Sequence, residues 1–164
     1  MTKYEIERKF LIAFPDMEIL SRTANRRLEI VQTYLTAKEG ENRRVRKITE
    51  DGRIVYWKTE KKRISNIRRM ERETEISEEE YIALLSEADR ERRPIEKVRY
   101  CVPHGGQTLE IDIFPFWQDK AFLEVELSDE TEEISLPPIF QVLREVTEDR
   151  RYTNAALAKE IPEQ

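Results

Sequence analysis

Apolar and charged residues alternate along most of this chain with a period of two. Glu5, Glu7 and Lys9 fall on one parity, and Ile6 and Phe10 on the other. In an extended strand these parities are opposite faces. The pattern recurs where Glu110 and Asp112 alternate with Leu109, Ile111 and Ile113, and where Glu124 and Glu126 alternate with Leu123, Val125 and Leu127. Lys97 and Arg99 oppose Val98 and Tyr100, Arg44 and Arg46 flank Val45, and Glu73 and Glu75 oppose Ile76. Lys58 reads as a charge opposite Val55 and Trp57. Eight strands are predicted, over residues 3–12, 28–36, 42–49, 53–61, 69–76, 95–102, 107–114 and 121–127. Asp51-Gly52 and Gly105-Gly106 read as tight hairpin turns, and Pro115 stops the seventh strand.

Helices interrupt this alternation. One is predicted over residues 16–25. Ser77-Glu78-Glu79-Glu80 is a capping box that opens another, with Tyr81, Leu84, Leu85 and Ala88 on one face. Pro137-Pro138 precedes a predicted helix carrying Ile139, Val142, Leu143 and Val146, and Asn154 is placed as the cap of a last helix through Ala155, Leu157 and Ala158. Neighbouring strands with short turns favour an antiparallel sheet, so the expectation is one α+β domain over residues 1–164.

Alternation alone fits two arrangements. One is an open antiparallel sheet with a wet, charged face. The other is an eight-stranded antiparallel β-barrel with its charges turned inward and its apolar outside covered by flanking helices. The second gives the amphipathic helices a surface to cover. It also accounts for like charges clustering strand by strand, which a solvated face would gain by interspersing.

Composition narrows the partners. The chain has 164 residues, 29 Lys+Arg against 34 Asp+Glu and a formal charge of −5. That argues against nonspecific nucleic-acid binding. The single Cys101 excludes an internal disulfide framework and fits a reducing cytoplasm. No apolar signal stretch and no run of membrane-spanning length is present, so a cytoplasmic protein with no membrane partner is expected. Inside a barrel, the alternating set would place six cations against eight carboxylates. Such a lumen repels polyanions until one or two Mg²⁺ or Mn²⁺ ions invert its sign. Arg and Lys side chains would then grip phosphate oxygens. The Lys61-Lys62-Arg63 and Arg68-Arg69 cluster reads either as a solvated loop or as a basic tunnel mouth.

The ordered set of motifs resembles the CYTH superfamily, the triphosphate tunnel metalloenzymes, and its compact single-domain bacterial members in particular. The resemblance runs from Glu5-x-Glu7-x-Lys9 through Gln32-x-Tyr34-Leu35, Arg44-x-Arg46, Lys58, Glu73-x-Glu75, Lys97-x-Arg99, Glu110-x-Asp112 and Glu124-x-Glu126. It ends at Asp149-x-Arg151-Tyr152-x-Asn154-x-x-Leu157. It implies metal binding by Glu5, Glu7, Glu124 and Glu126, with Asp112 added. It implies phosphate binding by Lys9, Arg44, Arg46, Lys58, Lys97, Arg99 and Arg151. Glu73, Glu75 and Glu110 would support them from the lumen. Lys9 and Tyr34 are the candidates for handling charge and protons, Tyr34 being also explicable as a lumen hydrogen-bonding residue. The implied reaction is metal-dependent hydrolysis of tripolyphosphate to pyrophosphate and phosphate. Nucleoside or thiamine triphosphatase, class IV adenylate cyclase and a non-catalytic polyphosphate sensor are the alternatives. The protein is expected to be a monomer or homodimer, with residues 153–161 as a plug in one tunnel mouth.

Overall fold

The computed structural model describes residues 2–65 and 67–162. Its strands are β1 (Thr2–Ala13), β2 (Arg26–Leu35), β3 (Glu41–Glu50), β4 (Arg53–Arg63), β5 (Arg68–Ile76), β6 (Ile95–His104), β7 (Gln107–Ile113), β8 (Lys120–Glu126) and β9 (Val142–Glu145). Eight of them are the predicted strands. They run antiparallel in the order β5-β4-β3-β2-β6-β7-β8-β1, and β1 pairs again with β5, which closes a barrel. Asp51 and Gly52 have φ of 50° and 79°, and Gly105 and Gly106 have 58° and 79°. These left-handed pairs match the strand twist, which is why Asp-Gly and Gly-Gly stand at the two tightest hairpins.

β1 carries the closure on both edges. Glu7–Ala13 pair with β8, whereas Thr2–Ile6 pair with β5. Beyond Ile6 that second edge of β1 has left β5, and its backbone groups need partners. β9 supplies them at Phe10, Leu11 and Ile12. Val146 N donates to Lys9 O at 2.8 Å, and Ala13 N to Gln141 O at 2.9 Å. Arg8 Nε donates to Glu145 Oε2 at 2.9 Å across the same seam. The helix predicted after Pro137-Pro138 is therefore a turn and a short edge strand. The demand of β1 for ladder partners overrides the local spacing of Ile139, Val142, Leu143 and Val146.

Directly opposed residues on neighbouring strands share a face. The register thus puts Ile6, Phe10, Ile12, Ile111, Leu123 and Val125 outside, in one core with Leu20 of α1 (Met17–Thr23). Asp16 caps α1 by accepting from Glu18 N and Ile19 N. A second outer core joins Leu35, Val45 and Ile76 to Tyr81, Leu84 and Leu85 around α2 (Glu78–Leu84), which opens on the capping box read from the sequence. No helix among the described residues is long and apolar enough to cross a membrane.

A third cluster lies on lumen positions. Leu11, Tyr34, Ile95, Phe114 and Phe122 meet Tyr152, Ala155, Leu157 and Ala158 of the C-terminal segment. Phe122 and Trp117 pack edge-to-face with centroids 5.1 Å apart, and Phe122 and Tyr152 at 6.3 Å. The segment is anchored by Arg93 N donating to Ala158 O at 2.8 Å. Its helix α3 (Asn154–Leu157) is capped by Thr153, whose Oγ1 accepts from Ala156 N at 3.0 Å, and not by Asn154 as predicted. One end of the barrel is thus filled on the side of β6, β8 and β1. It stays open on the side of β3, β4 and β5.

Candidate functional site

That opening is a cavity of about 430 Å³, within the roughly 300–1,000 Å³ of small-molecule sites. Its wall combines Glu7 and Lys9 of β1, Tyr34 of β2, Arg44 of β3, Thr59, Lys61 and Arg63 of β4, and Arg69 of β5. The β2–β3 loop adds Glu39, β3 adds its first residue, Glu41, and the C-terminal segment adds Arg150, Thr153 and Asn154. Among the described residues the wall carries six cations (Lys9, Arg44, Lys61, Arg63, Arg69 and Arg150) against three carboxylates (Glu7, Glu39 and Glu41). The cavity is therefore cationic before any metal is added. The lumen-wide count pointed the other way because it included carboxylates that are already neutralised deeper in the barrel.

Those deeper pairs are explicit. Asp112 is fully buried and accepts from Arg99 Nε and Nη2 at 2.8 and 2.9 Å, with Lys97 Nζ 2.8 Å away. Burial alone would raise the Asp112 carboxyl, but Arg99 and Lys97 outweigh it and hold it well below the usual carboxylate range. Burial pushes Lys97 down to about 8 against the pull of Asp112. Arg99 also reaches Glu110 Oε2 at 3.2 Å. Asp112, predicted as a metal ligand, is instead the counter-ion of two buried cations. Lys97 and Arg99, predicted to bind phosphate, are engaged with it and do not line the cavity. Arg46 is buried against Glu73, and burial with neighbouring Arg44 and Arg99 brings it down to about 10. Glu75 and Glu126 lie on lumen register positions but are exposed.

Glu5 is engaged too. Lys61 Nζ donates to Glu5 Oε1 at 3.0 Å and lies 3.5 Å from Glu71 Oε2. Burial pushes Glu71 up to about 7, helped by its hydrogen bond with Glu5, whose own carboxyl falls below the usual range because Lys61 outweighs its burial. Glu7 differs. Burial raises its carboxyl to about 8, and the nearby charges of Glu124 and Glu5 add to the rise. Lys9 Nζ is 3.3 Å from Glu124 Oε1, donates to Tyr152 O at 3.2 Å, and stands 4.6 Å above the Phe122 ring centroid. Tyr34 OH accepts from Gln32 Nε2 at 3.0 Å. Gln32 Oε1, Arg44 Nε, Arg46 Nε, Thr59 Oγ1 and Glu124 Oε1 are buried without a hydrogen-bond partner among the described residues. Buried polar atoms are seldom left so, and five around one lumen mark a place for a polar ligand.

Two predicted phosphate contacts fall elsewhere. Lys58 is opposite Val45, whose side chain belongs to the outer core, and its Nζ is 3.4 Å from Glu60 Oε1. The lumen positions of β4 are Val55, Trp57, Thr59 and Lys61, opposite Ile48, Arg46, Arg44 and Asn42. This face changes from apolar to charged along the strand, so reading parity from Val55 and Trp57 put the wrong lysine inside. Arg151 is exposed and held by Asp149 at 3.0 and 2.7 Å, while Arg150 lines the cavity. Glu71 and Arg150 were not among the predicted contacts, and Lys61, Arg63 and Arg69, read from the sequence as part of either a solvated loop or a basic tunnel mouth, line the cavity. Their signal was available in the sequence: Lys61 shares the parity of Thr59, and Glu71 and Arg69 that of Glu73.

Comparison with known proteins follows this geometry. The CYTH domain family model matches residues 3–153. The chain is 37% identical over 165 residues to a protein of Nitrosomonas europaea named an inorganic triphosphatase, covering 96% of this chain and 99% of that one. A solved structure titled as the inorganic triphosphatase NE1496 matches with a TM-score of 0.59 and 32% identity, covering 97% of each chain. The PH1819 protein of Pyrococcus horikoshii shares the fold, with a TM-score of 0.61 and 23% identity, covering 77% of this chain and 80% of its own.

Proposed function

The chain belongs to the CYTH domain family, and we propose on that premise that it is an inorganic triphosphatase that hydrolyses tripolyphosphate to pyrophosphate and phosphate with the help of a divalent cation. The observation that carries the choice of substrate is the cavity wall. Six cations face three carboxylates there, and Tyr34 is the one aromatic ring among the described lining residues. Such a wall offers a polyanion many partners and gives a nucleobase or thiamine ring little to stack on.

Glu7 and Glu124 are the carboxylates whose environment fits a hard cation. Burial and each other's charge make a proton on Glu7 favourable up to about pH 8, and a divalent ion neutralises the same repulsion. Their donors are oxygens, the ligands that Mg²⁺ and Mn²⁺ prefer. Among the described residues no three such donors converge on one point. That suits an ion held by one or two carboxylates together with substrate oxygens and water. Once bound, such an ion supplies charge neutralisation on the phosphate chain and a more acidic water.

The chain's own groups do the rest. Lys9 spends one donor on Tyr152 O and faces Glu124 with a second, which leaves a third for a phosphate oxygen. Arg44 and Lys61 flank the same space from β3 and β4. Gln32 donates to the Tyr34 hydroxyl, so the phenol proton is available to a bridging or terminal oxygen. The aromatic plug keeps bulk water from one side of the site, which strengthens each of these contacts. Phosphoryl transfer needs this positioning and charge stabilisation more than covalent help.

The test is phosphate release from tripolyphosphate, pyrophosphate and ATP, each with Mg²⁺, with Mn²⁺ and with chelator. Metal-dependent release that favours tripolyphosphate is expected. The metal concentration for half-maximal rate is expected to fall as pH rises towards about 8, because Glu7 must first give up its proton. Faster release from ATP would move the assignment to nucleotides.

A further inference from the structure

Asp149, Arg151 and Tyr152 close the run of motifs, yet none of the three lines the cavity. They build a clamp on one aromatic ring instead. Asp149 Oδ1 accepts from Arg151 N at 3.1 Å and from Arg151 Nε at 3.0 Å. Its Oδ2 accepts from Arg151 Nη2 at 2.7 Å and from Arg144 Nη1 of β9 at 3.4 Å. The two guanidiniums gathered in this way stand over the Tyr152 ring, with Arg151 Cζ 5.5 Å and Arg144 Cζ 5.0 Å from its centroid. Cations within about 6 Å of an aromatic ring are attracted to its face. The ring is buried and packs on Phe122. Tyr152 N donates to Asp149 O at 3.1 Å, which closes the 3₁₀ turn Arg150–Tyr152. Arg151 is exposed, and as a surface ion pair alone its contact with Asp149 would contribute little to stability.

The same stretch grips Lys9 at both ends. Lys9 N donates to Thr147 Oγ1 at 2.9 Å, and Val146 N donates to Lys9 O at 2.8 Å. Asp149 N in turn donates to Val146 O at 3.0 Å. At the far end of the side chain, Lys9 Nζ donates to Tyr152 O at 3.2 Å. The other neighbours of the ammonium direct it less. Glu124 is shared with the divalent cation in the proposed reading, and the Phe122 ring attracts a charge without fixing its donors. A lysine stem is flexible and its three donors rotate, so a fixed carbonyl is what aims the remaining one. We infer that Asp149 is a positioning residue for Lys9: it holds Arg144, Arg151 and the Tyr152 turn so that the Tyr152 carbonyl aims the Lys9 ammonium at a phosphate oxygen. The inference rests on the triphosphatase reading and adds to it a residue that touches neither substrate nor cation. Misplacing a reacting group by about 1 Å costs up to about 10²-fold in rate. Arg44 and Lys61 still hold the phosphate chain, so the loss falls on kcat rather than on KM.

Asp149→Asn keeps an acceptor for Arg151 N and removes the charge that gathers the two guanidiniums. It is compared with wild type, Lys9→Met and the double variant for kcat and KM on tripolyphosphate, with melting curves to verify folding. Asp149→Asn is expected to lower kcat about tenfold with KM within about twofold, and to change nothing further in the Lys9→Met background. The same fall in both backgrounds, a rise in KM alone, or no fall would overturn the link to Lys9. Arg144→Gln, on the exposed edge strand, reads the same link without touching the turn. It is expected to lower kcat about threefold, again only where Lys9 is present. The position of Lys9 is also read without turnover. Its Hε protons neighbour an ammonium 4.6 Å from the Phe122 centroid, so their NMR signals are expected to be ring-shifted and to vanish in Lys9→Met. Signals that move to ordinary lysine values in Asp149→Asn support the positioning role, and unmoved signals contradict it. If wild type hydrolyses no tripolyphosphate, the triphosphatase reading fails separately and these signals alone decide.

Discussion

Lys61→Met is expected to lower kcat/KM for tripolyphosphate by about 10²-fold or more, whereas Lys58→Met leaves it within about twofold. The two lysines are three residues apart on β4 and differ in face. Lys61 stands on the cavity wall and bonds Glu5 at 3.0 Å. Its ammonium holds the Glu5 carboxyl ionised and, in the proposed reading, donates a hydrogen bond to a substrate phosphate oxygen. Lys58 pairs with Glu60 on the outer surface, and such pairs contribute about 0–1 kcal/mol. Because Lys61→Met also strands Glu5, Lys61→Arg serves as the control: it keeps the charge and is expected to fold normally with partial activity. A damaging Lys58→Met beside a harmless Lys61→Met would reverse the face assignment of β4.

Asp112→Ala is expected to cost about 3–5 kcal/mol of stability, measured by urea unfolding. The variant leaves Lys97 and Arg99 buried without their shared counter-ion. Removing one partner from a buried network costs more than the network itself is worth. The surface pair of Arg26 and Glu50, 2.7 Å apart, provides the contrast, and Glu50→Ala is expected to cost under about 1 kcal/mol. The Asp112 carboxyl is depressed, so its contribution is present above its unfolded value of 3.8 and is lost as pH falls below that. An Asp112→Ala protein of near wild-type stability would mean that Lys97 and Arg99 are not dependent on it and are free for substrate after all.

The strands and the second helix were legible because period-two alternation, two left-handed turns and a capping box all act locally, whereas alternation alone left an open sheet and a closed barrel both standing and the resemblance favoured the barrel. Each predicted strand was recovered to within a few residues. Glu7, Lys9 and Arg44 were also legible from the charge alternation of their strands, whereas Tyr34 was reached through the resemblance, its strand mixing Ile30, Gln32 and Tyr34 on the lumen face. β4 broke that rule: its inner face runs from Val55 and Trp57 to Thr59 and Lys61. Val142–Glu145 was misread because its conformation is set by the vacant edge of β1, more than a hundred residues away in sequence. The division of labour among the carboxylates was not legible either. Glu5, Asp112 and Glu7 all alternate with apolar residues, and only the register shows which ones meet a cation. The choice of Arg150 over Arg151 depends on how the plug turns into the barrel, where Asp149 draws Arg151 outward.

The most direct measurement is tripolyphosphate turnover by wild type and Glu7→Gln, each with Mg²⁺ or Mn²⁺ and with chelator. Metal-dependent turnover in wild type that falls to the chelated level in Glu7→Gln, with the variant still folded, is the expected result. Wild-type turnover indifferent to chelator, or a Glu7→Gln protein as active as wild type, would contradict a carboxylate-held cation as the centre of this cavity.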